Sequence, residues 1–380
     1  MHKNVVIAGY TRSPFHFAKK GDLKRVRPDE LAAQVVKGLV EKTGIDPADI
    51  EDLIVGCAFP EADQGFNVAR LIGFLADLPR SVAGTTVNRF CGSSMQSIHM
   101  AAGAIQMNAG EAFICAGVES MSRVPMTGFN PMLHPGLAEN YPQAYMPMGE
   151  TAENVAEKYS ISRERQEELA VDSHRKATAA QSEGRLKDEI TPIIQGNHTV
   201  DADGCIRPET SAETLAGLKP AFRADGIVTA GTSSPLTDGA SAVLVTSEDY
   251  AKANGLKIIS RIKSVAVAGC APEIMGIGPV GATKKALERA GVSIGDIDVV
   301  ELNEAFSSQA LACAEDLGID LAKVNIDGGA LAIGHPLGAT GARITGKAGQ
   351  IMQREGKSLA LATQCIGGGQ GIATILENAA

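Results

Sequence analysis

Cys91 is the residue best placed to do chemistry. It lies in Val87-Asn88-Arg89-Phe90-Cys91-Gly92-Ser93-Ser94-Met95-Gln96, which reads as a strand, a sharp turn and a helix. Ile98, Ala101, Ala102, Ala104 and Ile105 make that helix small and apolar, hence buried. A cysteine at a helix start meets unsatisfied N–H groups and the positive end of the dipole, and both favour the thiolate. A free thiol has a pKa of about 8.5, and such a position or a nearby cation lowers it. The alternative is an inert core cysteine; the turn favours a nucleophile.

A nucleophilic thiol needs a base. Of the seven histidines, His2, His16, His134, His174 and His198 stand in polar or loop surroundings and are expected to be solvated. His99, two turns along the Cys91 helix, is expected simply to pack there. His335 differs. It sits in Gly328-Gly329-Ala330-Leu331-Ala332-Ile333-Gly334-His335-Pro336-Leu337-Gly338-Ala339-Thr340-Gly341-Ala342-Arg343, a nearly uncharged, glycine-rich stretch whose turn Pro336 fixes. A histidine there is either a satisfied core residue or a catalytic one, and flanking glycines favour close approach of a ligand.

Two further blocks carry candidate groups. In Leu361-Ala362-Thr363-Gln364-Cys365-Ile366-Gly367-Gly368-Gly369-Gln370-Gly371 a buried strand ends in glycines whose exposed N–H groups can form an oxyanion hole; a tight hairpin with an incidental cysteine is the alternative. Asn303-Glu304-Ala305-Phe306 follows a strand over residues 299–302. A polar pair there is a turn cap or a site element.

The elements that must position these blocks alternate between strand and helix: a strand over 4–8, a helix over 28–42 opened by Pro28, a buried strand over 53–55. Such alternation predicts βαβ units and a mostly parallel sheet with helices on both faces. An internal repeat is also visible. Gly44-Ile45-Asp46-Pro47-Ala48-Asp49-Ile50-Glu51-Asp52-Leu53-Ile54-Val55 aligns without gaps on Gly291-Val292-Ser293-Ile294-Gly295-Asp296-Ile297-Asp298-Val299-Val300-Glu301-Leu302, and Thr86-Val87-Asn88 matches Lys323-Val324-Asn325 later. Two related halves are expected. Between them residues 121–237 change texture, with Met, Pro and His loops and then charged helices over 152–160 and 162–177, and read as an insertion over one face. A strand over 240–244 rejoins the first half.

The 380 residues suffice for two or three domains. Aromatics are 4% and there is no tryptophan, so the core is built from Ala, Val, Ile and Leu, with backbones close at the 42 glycines. A net charge of −9 argues against a general nucleic-acid binder but allows a basic pocket for a small anion. No apolar run approaches a membrane span. The start, Met1 to Gly9, reads as a first strand rather than a signal peptide, and the end, Glu377-Asn378-Ala379-Ala380, carries no retention or peroxisomal tag.

The cysteines, Cys57, Cys91, Cys115, Cys205, Cys270, Cys313 and Cys365, are scattered and odd in number. They fit neither a disulfide framework nor a zinc site, and indicate a reducing, cytoplasmic location. Gly276-Ile277-Gly278-Pro279-Val280-Gly281 satisfies G-x-G-x-x-G, but Pro279 reads as the start of a helix, not part of a dinucleotide loop. Gly341-Ala342-Arg343-Ile344-Thr345-Gly346-Lys347-Ala348 lacks the Ser or Thr of a P-loop and reads as a buried helix.

The four blocks, in this order and spacing, resemble the thiolases over essentially the whole chain. Related ketoacyl synthases share the fold and a nucleophilic cysteine but lack the Asn-Glu-Ala-Phe block and the second cysteine. The resemblance implies an α/β fold in five layers, αβαβα: a first half from residues 1–120 and 238–257, a coenzyme A-binding loop domain from 121–237, and a second half from 258–380. It implies cleavage of a 3-ketoacyl-CoA by CoA to acetyl-CoA and a shortened acyl-CoA, or the reverse condensation, with CoA as substrate and no cofactor or metal. Cys91 would be the nucleophile and His335 its base. The N–H groups of Cys91 and Gly367 would hold the oxyanion, Asn303 a water, and Cys365 would be the acid/base. Two thiols suit a reaction needing a nucleophile and a separate proton carrier.

For CoA and the acyl chain the resemblance points to Met148, Lys219, Arg223, Ser234, Met275 and Phe306, with Lys219 or Arg223 supplying positive charge. Pro147-Met148-Gly149 lacks the His that commonly precedes Met-Gly in short-chain biosynthetic members. Cys91-Gly92-Ser93-Ser94-Met95-Gln96 and Glu119-Ser120-Met121-Ser122-Arg123-Val124-Pro125-Met126 look closer to the degradative, fatty-acid-oxidation branch. A homodimer or homotetramer is implied, with docking to a β-oxidation partner subunit as a further reading. The alternatives are a short-chain acetoacetyl-CoA thiolase, a ketoacyl synthase and a nucleotide-binding module.

Overall fold

The computed structural model describes residues 3–379, so His2 and Ala380 lie outside the described residues. Nine strands matter here: β1 (Val5–Arg12), β2 (Asp52–Gly56), β3 (Ala83–Val87), β4 (Ala112–Ser120), β5 (Thr237–Ser247), β6 (Ser260–Gly269), β7 (Val299–Leu302), β8 (Leu359–Ile366) and β9 (Gln370–Glu377). They run β3-β2-β4-β5-β1 in the first half and β6-β9-β8-β7 in the second. The halves join where Val6 and Ile7 pair with Arg261 and Ser260.

The repeat is real in three dimensions. Gly44 and Gly291 each end a helix in the left-handed region, at φ 70° and 67°. Short 3-10 turns follow over Pro47–Asp49 and Ile294–Asp296, and then β2 and β7. Only glycine adopts such a φ without a Cβ penalty. The counterpart of β3 has shrunk to one parallel bridge between Val300 and Val324.

The expected mostly parallel sheet is corrected to a mixed one. β2 is parallel to β3 and β4, and β7 to β8, but β1–β5, β4–β5, β8–β9 and β9–β6 are antiparallel. In the second half, Gly368 and Gly369, at φ 77° and 82°, fold β9 straight back on β8. In the first, β5 returns antiparallel after the insertion.

The longer helices are α1 (Pro28–Thr43), α2 (Val68–Leu75), α3 (Ser93–Gln106), α4 (Met148–Lys158), α5 (Arg163–Ser182), α6 (Gly278–Ala290), α7 (Ser307–Leu317) and α8 (Leu337–Arg354). α1 and α2 cover the outside of the first half, and α6 and α7 that of the second. α3 and α8 fill the space between, which completes five layers. The segment between β4 and β5 carries α4 and α5. None of the described helices is long and apolar enough to cross a membrane.

Glycine lets the central pair touch. A Cβ on Gly341 would stand 2.3 Å from the Met95 backbone nitrogen, and one on Gly346 2.3 Å from the Tyr10 ring. The near-P-loop is therefore a buried helix turn. Likewise Pro279 lies in the first turn of α6, and a Cβ on Gly278 would meet the Gln370 carbonyl at 2.1 Å. A buried ionic chain fixes α8 to β1 and the insertion: Arg12 pairs with Glu189 and Asp203, and Lys347 with Glu189 and Asp327 at 2.8 Å each. Such pairs specify placement more than they stabilise.

Candidate active site

Cys91 stands just ahead of α3, whose cap is Gly92. Phe90 before it is held at φ 43°, a conformation L side chains rarely adopt, and this turns the thiol inward to 9% exposure. Backbone N–H groups of Gly367 and of Cys91 itself point at the sulfur. The expectation that the helix start lowers this pKa is corrected: burial pushes the thiol up to about 11, outweighing both N–H groups, and the nearby Glu119 carboxyl adds to the rise. A cation would reverse this, but Arg89, two residues away, is engaged by Gln96 and Gln370.

His335 lies in the link between the short helix Ala330–Ile333 and α8. Gly334 has φ 107°, and a Cβ there would hit Thr237 at 2.7 Å, so this neighbour must be glycine. Nδ1 of His335 is 2.6 Å from Thr340 Oγ1, its backbone N–H donates to Thr237 Oγ1 at 3.0 Å, and Nε2 is 3.4 Å from Asn303 Nδ2. Burial, and then the charge of Arg343, depress the imidazole to about 3, so it rests neutral.

Cys365 is fully buried near the end of β8. Burial, then the neighbouring Cys91 sulfur, raise its pKa well above the ordinary thiol value. It packs with Met275, Ala305 and Phe306, and Met148 closes on the same cluster. Met148 Sδ is also 3.4 Å from where a Cβ on Gly367 would be. Asn303, buried at the end of β7, keeps Oδ1 without a partner among the described residues. The structure thus brings Cys91 together with Gly367 and Cys365, and His335 together with Asn303.

The insertion reaches the same place. Phe222 stacks edge-on against Phe306 with ring centres 5.8 Å apart, and the Ser234 N–H donates to the Ala305 carbonyl at 3.0 Å. Arg223 is half-buried and turned onto Asn154 rather than outward. Lys219 is exposed and carries no ion pair among the described residues.

Glu304, beside Asn303, faces away. Ser173 and Asn325 donate to it at 2.7 Å each, so it ties α5 to the second half. Two histidines expected to be solvated are buried: His16, at the Ala202 carbonyl (3.0 Å), and His174, beside Arg207. His134 and His198 are exposed, and His99 is packed against Thr374 at 2.8 Å. All seven cysteines are free.

Sequence reasoning missed Thr340, Gln364 and Glu119. Thr340 sits five residues after His335, where the first helical turn returns its hydroxyl to the ring. Gln364 donates its amide to the Cys91 carbonyl. Glu119 accepts from the N–H groups of Ala58 (2.8 Å) and Gly338 (2.9 Å) and from Gln64 (2.8 Å), joining the two halves beside Cys91.

Residues 5–249 match the family described as thiolase, N-terminal domain, and residues 256–378 the thiolase, C-terminal domain. The chain belongs to the thiolase family. It is 50% identical to the 3-ketoacyl-CoA thiolase of Shewanella loihica over 99% of this chain and 100% of that one, and 47% identical to the 3-ketoacyl-CoA thiolase of Bacillus subtilis over 99% of each. Among solved structures, human mitochondrial 3-ketoacyl-CoA thiolase superposes with a TM-score of 0.92 at 37% identity, covering 100% of this chain and 99% of the other. The Bacillus anthracis acetyl-CoA acetyltransferase gives 0.90 at 39% identity, covering 99% of each.

Proposed function

We propose that this chain is an acyltransferase that cleaves 3-ketoacyl-CoA with CoA, giving acetyl-CoA and an acyl-CoA shortened by two carbons. The observation that carries the reading is the meeting of two buried thiols, one of them under two convergent backbone N–H groups.

Both members of the nucleophile–base pair rest neutral, so the Cys91 proton passes to Nε2 of His335 as the sulfur bonds to the 3-keto carbon. The new oxyanion takes the N–H groups of Cys91 and Gly367, which in the resting site point at the adjoining sulfur. The bond between C2 and C3 breaks, and its electron pair becomes the enolate of acetyl-CoA. A water held by Asn303 and the protonated His335 stabilise the enolate oxygen, and the Cys365 thiol protonates its carbon. The Cys365 thiolate then takes the proton of incoming CoA, whose sulfur displaces the acyl group. Cys91 recovers its proton from His335. Every proton is accounted for without metal or redox cofactor, and CoA serves as substrate.

The insertion is the CoA-binding part, with Met148, Met275 and Phe306 against the acyl chain and Ser234, Lys219 and Arg223 toward CoA. We further read the protein as a cytoplasmic enzyme of fatty-acid β-oxidation and a homo-oligomer. β3 is an edge strand, and Phe74 and Leu75 of the adjoining α2 are exposed, a surface suited to a second copy. The test is thiolysis across 3-ketoacyl-CoA chain lengths, with the acyl adduct mapped by mass spectrometry and the mass in solution measured by sedimentation. Absence of thiolysis at every length overturns the reading.

A further inference from the structure

On the reading that Cys91 is acylated, we propose that Gln364 and Gln370 are positioning residues: they grip the Cys91 turn from the second half and hold its sulfur beneath the N–H groups of Gly367 and Cys91. The two glutamines bracket the turn that carries Cys365 and Gly367, and in the ladder Gln364 lies opposite Ile372 and Gln370 opposite Ile366. Gln364 has no solvent exposure, and its strand is flanked by β7 and β9.

A buried amide in an apolar strand is costly unless it is hydrogen-bonded. Here Nε2 donates to the Cys91 carbonyl, while Oε1 has no partner among the described residues. The side chain is therefore spent on one contact, and that contact is with the nucleophile's own backbone. On the far side of the turn, Gln370 Oε1 accepts from Arg89 Nη1 at 2.8 Å, and Arg89 Nε donates to Gln96 at 2.9 Å. Arg89 is thus held at both ends, two residues before Cys91.

The turn needs holding. Phe90 sits at φ 43°, and a non-glycine residue persists there only where its surroundings enforce it. Two side-chain bonds from the second half, together with the Gly367 N–H, clamp the first thiol to the segment that carries the second. The spacing of nucleophile, oxyanion donors and proton carrier then becomes a property of one rigid turn.

The test uses the full-length enzyme and the variants Gln364→Met and Gln370→Met, which keep side-chain length but remove the bonds. Steady-state thiolysis, the acyl adduct on Cys91 and the pH profile of Cys91 alkylation by iodoacetamide are measured for each. The expected result is a kcat lower by about 10- to 100-fold for Gln364→Met, as for a reacting group displaced by a fraction of an ångström to 1 Å, with KM nearly unchanged. Its alkylation profile moves to higher pH, because a sulfur released from N–H donors holds its proton more tightly. Gln370→Met shows the same changes at smaller size. Wild-type kcat and an unmoved alkylation profile in both variants overturn the proposal. If Gln364→Met does not fold, the half-buried Gln370→Met decides by the same two readouts. Failure of the wild-type enzyme to acylate Cys91 overturns the functional reading itself, an outcome distinct from a clamp that proves dispensable.

Discussion

Thr340 Oγ1 lies 2.6 Å from Nδ1 of His335 and 3.1 Å from the Pro336 carbonyl. The Asn303 amide nitrogen, which can only donate, faces Nε2 at 3.4 Å, which assigns the hydrogen to Nδ1; Thr340 Oγ1 then accepts from Nδ1–H and gives its own proton to the Pro336 carbonyl, and Nε2 is left as the proton acceptor. Thr340→Val removes the acceptor and leaves a buried Nδ1–H unpaired, so the other tautomer becomes competitive. The expected outcome is a kcat lower by roughly 10-fold, the smaller end of a general-base contribution, with KM little changed. Thr340→Ser restores the rate. Stopped-flow acylation of Cys91 checks this, and equal rates for Val and wild type would remove Thr340 from the design.

The resting thiol and imidazole set the pH response. With Cys91 near 11 and His335 near 3, the neutral pair dominates over the thiolate–imidazolium pair. Alkylation of the free enzyme should keep accelerating through pH 9 and 10. A plateau reached already at pH 6 or 7 would mean a preformed ion pair.

On the proposed mechanism the two thiols have separable tasks. Cys91→Ala should give no acyl adduct from any thioester. Cys365→Ala should still acylate Cys91 from an acyl-CoA, yet lose carbon–carbon cleavage by several orders of magnitude, because the enolate has no proton donor. Mass spectrometry of the adduct alongside a thiolysis assay separates them. Full turnover by Cys365→Ala would exclude it from the reaction.

Acid sensitivity has an identifiable contributor away from the reaction. His99 is half-buried, and desolvation by its neighbours, then the charges of Arg89 and Arg289, lower it to about 3. Its unfolded value is near 6.5, so between these values the unfolded chain binds the extra proton and stability falls as the pH drops. The slope is about 1.4 kcal/mol per pH unit for one such group. His335 acts in the same direction, while Glu301, raised to about 7, acts in the opposite one. His99→Gln should therefore lose less stability between pH 6 and 4 than wild type, read by urea unfolding at each pH. Parallel pH curves for the two would disprove the assignment.

Glycines in the central helices divide by what surrounds them. Gly103 in α3 has nothing within 4 Å of an added Cβ, so Gly103→Ala should stabilise by about 0.5–1 kcal/mol. Gly341→Ala drives a methyl group into the Met95 backbone and should destabilise severely. Thermal unfolding of both variants tests the contrast.

Much of this was legible in residue patterns. The repeat around Gly44 and Gly291 foretold two halves because left-handed helix ends require a recognisable residue. The four blocks stood out as site candidates because each joins a turn signal to a reactive side chain. Strand direction was not legible, since a parallel crossover and the hairpin after β8 both show an apolar strand followed by glycines. The burial of His16 and His174 was hidden because partners far along the chain, Ala202 and Arg207, supply their contacts. The rise of the Cys91 pKa was missed for a related reason. Local sequence shows a helix start but not how completely the other half shuts out water.

α3 and α8 begin within one turn of Cys91 and His335, and the first turn of α3 meets the second turn of α8 where Ser94 Oγ accepts from the Ala342 N–H at 2.8 Å. Two peptide dipoles thus converge on one spot with their positive ends forward. An acidic protein thereby offers an attractive potential to a developing negative charge without an ionisable side chain as its source. Because that potential comes from the backbone, it persists across pH.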